Sequence, residues 1–524
     1  MQRRPARVLG VIIATITAGA TLSACAKVID GQPVTAGSST GTPSGSSTPG
    51  PSSSTPPPEA PNAHLDVQGV APGTCADIHK TPLDAVCFDQ IVQNALSDVE
   101  AFWTTEYPKV AGGASLPPLK GGYYSVDGLE VAETGQASPP ATNNQCISRS
   151  PRFIVDNGAF CPLDDSIAWD RNPAHLFPQL ADHYGPFLIG MVFAHEFGHA
   201  ISDRLGVFDQ NLPTIDTESQ ADCAAGAWAA AAMAGSAPHF PGVTPETVDD
   251  ALEGYLDGRD GTPNTPQDVS HGNGFDRISA IADGIDKGVT YCYSPDYFSR
   301  TFTERPFSDQ KDYEQGGNTP LSDVLAPSAD NIFVQDLNRF WAAAAQSINR
   351  TWKPVSIKEA DHPACAVSGT SEFDYCPTDN TVYYSSTFAE EAYNSLPDVS
   401  VDSSTGNATL VFNQPGDFAL GNLFSIGWGL AVRAQFFGGS MDTRAALIAA
   451  ACYTGAYSKD VNLAQDDPKA QDKIIVLSPA DLDEAVSSML DLVPDPKAFG
   501  ARSTTGLDRI QAFVKGYFGG LHAC

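Results

Sequence analysis

The sequence predicts an α+β chain, mostly helical with a few short strands, in which one fold occurs twice in tandem. Apolar residues recur at helical spacing around 88–107, 187–205 and 216–234, with a loop-rich stretch and a short strand near 165–169 among them. Ala224–Ala234 is almost wholly small and apolar but too short for a bilayer, so it should be a buried helix. Five motifs of the first half return in the same order in the second.

Asp98-Val-Glu-Ala-Phe-Trp103 returns as Asp336-Leu-Asn-Arg-Phe-Trp341, both on helical patterns. Cys161-Pro162 returns as Cys376-Pro377, each followed by an Asp and a strand-like stretch, Ile167-Ala-Trp169 against Val382-Tyr-Tyr384. Cys223-Ala-Ala-Gly-Ala-Trp228 matches Cys452-Tyr-Thr-Gly-Ala-Tyr457, and Gly274-Phe-Asp-Arg-Ile278 matches Gly506-Leu-Asp-Arg-Ile510, which sets Cys292 opposite Cys524. The fifth pair is the informative one. Phe193-Ala-His-Glu-Phe-Gly-His-Ala200 aligns with Phe424-Ser-Ile-Gly-Trp-Gly-Leu-Ala431.

On a helix, His195 and His199 fall four residues apart and project from one face, a spacing that lets two imidazoles hold one Zn²⁺. Glu196 then sits beside an open coordination position, where a carboxylate acts as general base toward a metal-activated water. Gly185-Pro186 before the apolar run and Gly206 after it bound that helix. Further along, Glu218 and Asp222 are again four apart, so one can complete the metal shell while the other orients a ligating histidine. The second half replaces all of these, placing Ile426, Gly427, Leu430, Leu447 and Ala451 opposite His195, Glu196, His199, Glu218 and Asp222. It keeps what a fold needs and drops what zinc needs.

The same contrast sorts residues without a motif. Asp276 and Arg277 return as Asp508 and Arg509, which reads as a structural ion pair or cap, whereas His271 falls opposite Ser503 and behaves like the metal set. A histidine there would donate to the oxyanion of a tetrahedral intermediate. His175, His183, His239, His362 and His522 show no ligand spacing and read as surface or packing residues.

Residues 1–24 open with Arg3, Arg4 and Arg7, continue with an apolar stretch too short for a membrane span, and read as a signal peptide. Leu22-Ser23-Ala24-Cys25 resembles a bacterial lipobox, which implies cleavage before Cys25 and acylation of that residue. Through residue 62 the chain is then dominated by Pro, Ser, Thr and Gly, a composition that stays extended and serves as a tether. The expected layout is a signal peptide at 1–24, lipid attachment and tether at 25–62, a metal-binding domain at 63–300, a linker at 301–330 and a metal-free copy at 331–524. A formal charge of −32, dispersed along the chain, argues against a nucleic-acid partner and against direct adhesion to anionic lipid. The membrane contact expected is the lipid at Cys25, on the outer side of a bacterial cell membrane.

Eleven cysteines leave ten once Cys25 is assigned to lipid, and outside the cytoplasm ten are expected to pair. The repeat pairs equivalent positions: Cys223 with Cys292, Cys452 with Cys524, Cys146 with Cys161 and Cys365 with Cys376. Cys75 with Cys87 follows by elimination.

Taken together, Ala194-His-Glu-Phe-Gly-His-Ala200, Glu218-Ser-Gln-Ala-Asp-Cys-Ala-Ala-Gly-Ala-Trp228, Ser270-His-Gly272 and Phe160-Cys-Pro-Leu-Asp164 resemble the bacterial neutral zinc metallopeptidase family, over about residues 90–292. The resemblance implies a zincin-like fold and makes Glu218 the third ligand beside His195 and His199. It implies a hydrolase of peptide or protein substrates with one Zn²⁺ per chain. In such folds a strand runs beside the substrate, and Trp169, at the end of the strand read here, is expected to line the cleft. Two other readings stand beside this one: a non-catalytic lipoprotein scaffold with a structural zinc, and a hydrolase of cell-wall peptides.

Overall fold

The computed structural model describes residues 65–257, 271–305 and 317–524, the last with breaks at 362, 364, 366–370, 403, 415, 464–467, 470–472, 491–497, 501 and 503. The expected leader, the tether and Cys25 lie outside the described residues, as does His362. Helices dominate, with three small sheets, so the class is α+β.

The first helix of the first half is α1 (Ala85–Val110), whose N-terminus is capped by Asp84 accepting from the Cys87 amide. Its Phe88, Ile91, Val92, Ala95, Val99 and Trp103 recur at three and four residues and are fully buried. Strand β1 (Val67–Gln68) precedes that helix, and β2 (Gly122–Val126), β3 (Gly158–Cys161) and β4 (Ser166–Asp170) follow it. They form a sheet in the order β1-β2-β4-β3, with β3 an antiparallel edge on otherwise parallel strands.

Helix α2 (Leu176–Tyr184) leads into α3 (Pro186–Arg204) through Gly185, at φ 84°, and Pro186 at the first helical position. Helix α3 is apolar on nearly all sides because α1, α2, β3 and the next two long helices surround it. These are α4 (Thr214–Met233) and α5 (Pro245–Asp257), and α6 (Gly274–Lys287) closes the half against α4.

The second half is also built of helices and a small sheet. Helix α7 (Ile332–Ser347) is followed by β5 (Ser356–Glu359), β6 (Phe373–Cys376) and β7 (Thr381–Tyr384), in the order β5-β7-β6. Then come α8 (Ser386–Tyr393), a hairpin of β8 (Leu396–Val401) and β9 (Ala408–Gln414), and helices α9 (Asp417–Val432), α10 (Arg444–Val461), α11 (Asp481–Leu490) and α12 (Gly506–Gly519). The hairpin has no counterpart between α2 and α3. Its turn reaches the first half, where the Ala408 amide donates to Ala174 O at 2.9 Å.

Contacts repeat in detail. The β3–β4 turn pairs Cys161 with Ser166 and carries Asp165 at φ 57°; the β6–β7 turn pairs Cys376 with Thr381 and carries Asn380 at φ 56°. Both are residue types that tolerate left-handed backbone. Gly226 and Gly284 each abut the backbone of the facing helix, at Ile281 and Cys223, and Gly455 and Gly516 do the same at Phe513 and Cys452. The five disulfides join the five pairs read from the sequence, with Cα–Cα distances of 4.7–5.9 Å.

The halves meet through α5 and α6 on one side and α11 and α12 on the other. Each donates a helix cap to its neighbour. Asp249 on α5 accepts from the amides of Gly506 and Leu507 at 2.6 Å each, and Asp483 on α11 accepts from the Phe275 amide at 2.8 Å. Thr303 and Glu304 bind Asp276 through their amides, and a short helix at Leu321–Val324 packs on α9. Residues 306–316 are not among those described.

Candidate metal centre

Helix α3 delivers His195 and His199 to one point because they stand four residues apart, and α4 crosses it there. The crossing is close. A Cβ at Gly198 would meet the Ala221 Cα and the Ala224 Cβ at 3.1 Å, so the two helices approach nearly backbone to backbone. This brings Glu218 Oε2 within 3.2 Å of His195 Nε2 and 3.3 Å of His199 Nε2, the two nitrogens being 3.0 Å apart. All three side chains are buried. In a tetrahedral zinc shell, ligand atoms about 2.0–2.1 Å from the ion lie roughly 3.3 Å from one another, so both donor types and their spacing fit that ion. Glu218 Oε1 and His199 Nδ1 are buried without a hydrogen-bond partner among the described residues, which leaves Glu218 a second oxygen to offer.

The surroundings favour positive charge at the centre. Burial works against the charged form of Glu218, yet the imidazoles of His199, His271 and His195 hold its carboxyl well below the usual range. Burial alone would lower the His195 imidazole, but Asp222, Glu218 and Glu196 push it up to about 10. Asp222 accepts at 2.7 Å from His195 Nδ1, which turns Nε2 toward the centre. Asp222 is itself fully buried and held by Arg277, whose Nε and Nη2 each lie 3.0 Å from its oxygens. Burial would raise that carboxyl, but Arg277 and His195 keep it low.

Glu196 stands beside the cluster, with Oε1 4.0 Å from His195 Nε2 and Oε2 accepting from the Phe160 amide at 2.8 Å. Burial raises its carboxyl against the pull of His195 and His199. His271 reaches the mouth of the site, its Nε2 3.9 Å from Glu218 Oε2, with about a fifth of its side chain exposed. A pocket opens over these groups, with Gly158 and Ala159 of β3 along one side and Leu176, Leu180, Leu188 and Val192 forming an apolar wall.

Two expectations are corrected. Trp169 does not line the cleft. It is fully buried on the inner strand β4, donates to Asp89 at 2.7 Å and packs edge-on against Phe193; the edge strand β3 is the one beside the pocket. Of the two readings of Asp276 and Arg277, ion pair or cap, the ion pair does not form, while Asp508, opposite Asp276, forms a capping box with Thr505. Neighbouring residues on a helix diverge, so Asp276 turns to the amides of Thr303 and Glu304 while Arg277 turns to Asp222. Its counterpart Arg509 donates to Met489 O and Thr504 instead. A retained side chain here has not kept its contact.

The other histidines among the described residues are packing or surface residues. His175 is buried, 2.5 Å from Asp170 and 2.9 Å from Thr405 O, and His239 lies 2.6 Å from Asp98. At the positions of the second half opposite the metal set, Ile426, Leu430, Leu447 and Ala451 are buried in hydrocarbon, and Val382 reaches within 2.7 Å of where a side chain at Gly427 would begin. Elsewhere in that half Asp417, Asp481 and Glu484 form a buried carboxylate group, without a histidine. Burial pushes all three carboxyls up, and backbone amides of Thr319, Ser478 and Phe418 bond to them.

No protein-family profile matches the chain, and no solved structure does. It is 35% identical over 79 residues to an uncharacterized protein of Mycobacterium bovis and to two of Mycobacterium tuberculosis. The match takes in 13% of this chain and 27% of each of those, so the chain spans about a quarter of the length of the curated relatives it matches.

Proposed function

We propose that the first half is a zinc-dependent hydrolase of amide bonds, a zincin-like peptidase held at the bacterial cell surface by lipid at Cys25. The observation that carries this is the convergence of His195 Nε2, His199 Nε2 and Glu218 Oε2 beside a carboxylate that is not one of them. His195, His199 and Glu218 would hold the ion. Bound there, zinc would acidify a water and polarise the substrate carbonyl.

The chain's own groups do the rest. Asp222 accepts a hydrogen bond from His195 Nδ1–H, which keeps the proton on Nδ1 and leaves Nε2 as the ligand atom. Glu196 keeps one oxygen on the Phe160 amide and has the other for the proton of the attacking water, which it then passes to the leaving amine. His271 donates to the oxyanion as it develops. The outer edge of β3 offers backbone groups to an extended peptide, and the apolar wall takes one of its side chains. A structural zinc would have no use for the Glu196 carboxylate beside it.

We infer also that residues 331–524 are a metal-free copy of the same fold. Matched turns, matched close approaches at glycines and matched disulfides support this. The test of the enzyme is Glu196→Gln, with zinc content and peptide hydrolysis measured on the same preparation. Zinc should stay near one per chain while the rate falls by roughly 10²–10⁴. An active Glu196→Gln protein, or one that has lost its zinc, would sink the assignment of Glu196 as base.

A further inference from the structure

We propose that the second half is part of the support of the metal site, with Asp483 acting through the first turn of α6 as a positioning residue for His195. This rests on the reading of His195, His199 and Glu218 as a zinc site.

The connection is short. Asp483 accepts from the Phe275 amide at 2.8 Å, and its carboxyl carbon would lie only 3.0 Å from a Cβ at Gly274, so it sits directly against the start of α6. The same turn is gripped from the other side, where Asp276 accepts from Thr303 and Glu304. Two residues past Phe275, Arg277 binds both oxygens of Asp222, and Asp222 holds His195 Nδ1. Three residues before Gly274, His271 enters the pocket mouth. A carboxylate at a helix N-terminus also meets the positive end of the helix dipole. Asp483 therefore fixes the turn that carries Arg277 and that begins three residues after His271.

The mirror contact supplies the control. Asp249 holds the first turn of α12 by the same chemistry, with two amides at 2.6 Å. Beyond it nothing leads to a metal: Arg509 turns to Met489 O, and Ala451 stands opposite Asp222. Removing either cap should cost similar stability, yet only one removal should reach the zinc.

The experiment is a zinc dissociation constant, measured on the full chain by chelator competition, with a melting temperature for each variant. Asp483→Ala and Asp249→Ala should lower the melting temperature comparably. Asp483→Ala should weaken zinc binding about tenfold, the low end of what loss of a ligand's own partner causes, while Asp249→Ala stays within about twofold. Asp483→Asn keeps an accepting oxygen and should recover most of the affinity. If alanine there prevents folding, serine at the two positions carries the same comparison. Equal loosening by both variants, or unchanged affinity in the Asp483 variant of a zinc-loaded protein, would overturn the proposal alone. A wild-type chain that takes up no zinc would overturn the site reading beneath it.

Discussion

Helices α3 and α9 occupy corresponding places in the two halves and differ in one kind of residue. Both are buried along almost their whole length, and both are crossed closely at a glycine, Gly198 over Ala221 and Gly429 over Ala450. What α9 lacks is the polar set. The difference teaches which residues travel together. Gly226, Gly284, Gly455 and Gly516 meet backbone where no Cβ fits, so each is constrained singly. His195, His199, Glu218 and Asp222 satisfy one another in a buried space, so losing one leaves the others unpaired at a cost of several kcal/mol. Such a set is stable whole or replaced whole, and Ile426, Leu430, Leu447 and Ala451 are the whole replacement.

The matched disulfides offer the largest test of that comparison. Cys223–Cys292 and Cys452–Cys524 close loops of similar length, 69 and 72 residues apart. Serine at both cysteines of either pair should lower stability by about 4 kcal/mol. Only loss of the first should loosen zinc, because Cys223 lies on the helix that carries Glu218. Denaturant unfolding and zinc competition on both variants decide it, and equal zinc loss from both would break the comparison.

Asp222→Asn probes the polar set itself. The amide nitrogen cannot accept from Arg277 Nε as the second carboxylate oxygen does, and the negative charge beside His195 is lost, so zinc affinity should fall about 10–100-fold with the fold intact. Unchanged affinity would remove Asp222 from the account. The smallest effect is a pH dependence at the junction. Burial pushes the Asp249 carboxyl up to about 6, above an unfolded value of about 3.9. A raised carboxyl stabilises the fold below about pH 4 and loses that contribution as pH climbs through 6. Asp249→Asn should flatten the stability profile in that window, and parallel profiles would contradict the cause given.

Much of this was legible because it is local. The helix at 187–205 and the ligand helix follow from spacing within a few turns, four cysteine pairs follow from the repeat, and Cys75–Cys87 follows by elimination. The misses are through-space. Arg277 binds Asp222 on another helix rather than its neighbour Asp276, because adjacent helical residues cannot face each other. Trp169 was placed by sequence adjacency to a strand, but which strand forms the edge depends on sheet order. The hairpin at 396–414 has no counterpart in the first half, so the repeat does not point to it. A sixth match, Val248-Asp-Asp-Ala251 against Leu482-Asp-Glu-Ala485, carries both exchanged caps. Its meaning needed the two halves side by side.

The most direct test is a crystal structure of the zinc-loaded protein with data collected on both sides of the zinc absorption edge. The account predicts one anomalous peak per chain, between His195, His199 and Glu218, with none beside Leu430 and Leu447 or among Asp417, Asp481 and Glu484. No peak at the first position, or a peak of equal strength in the second half, would contradict it.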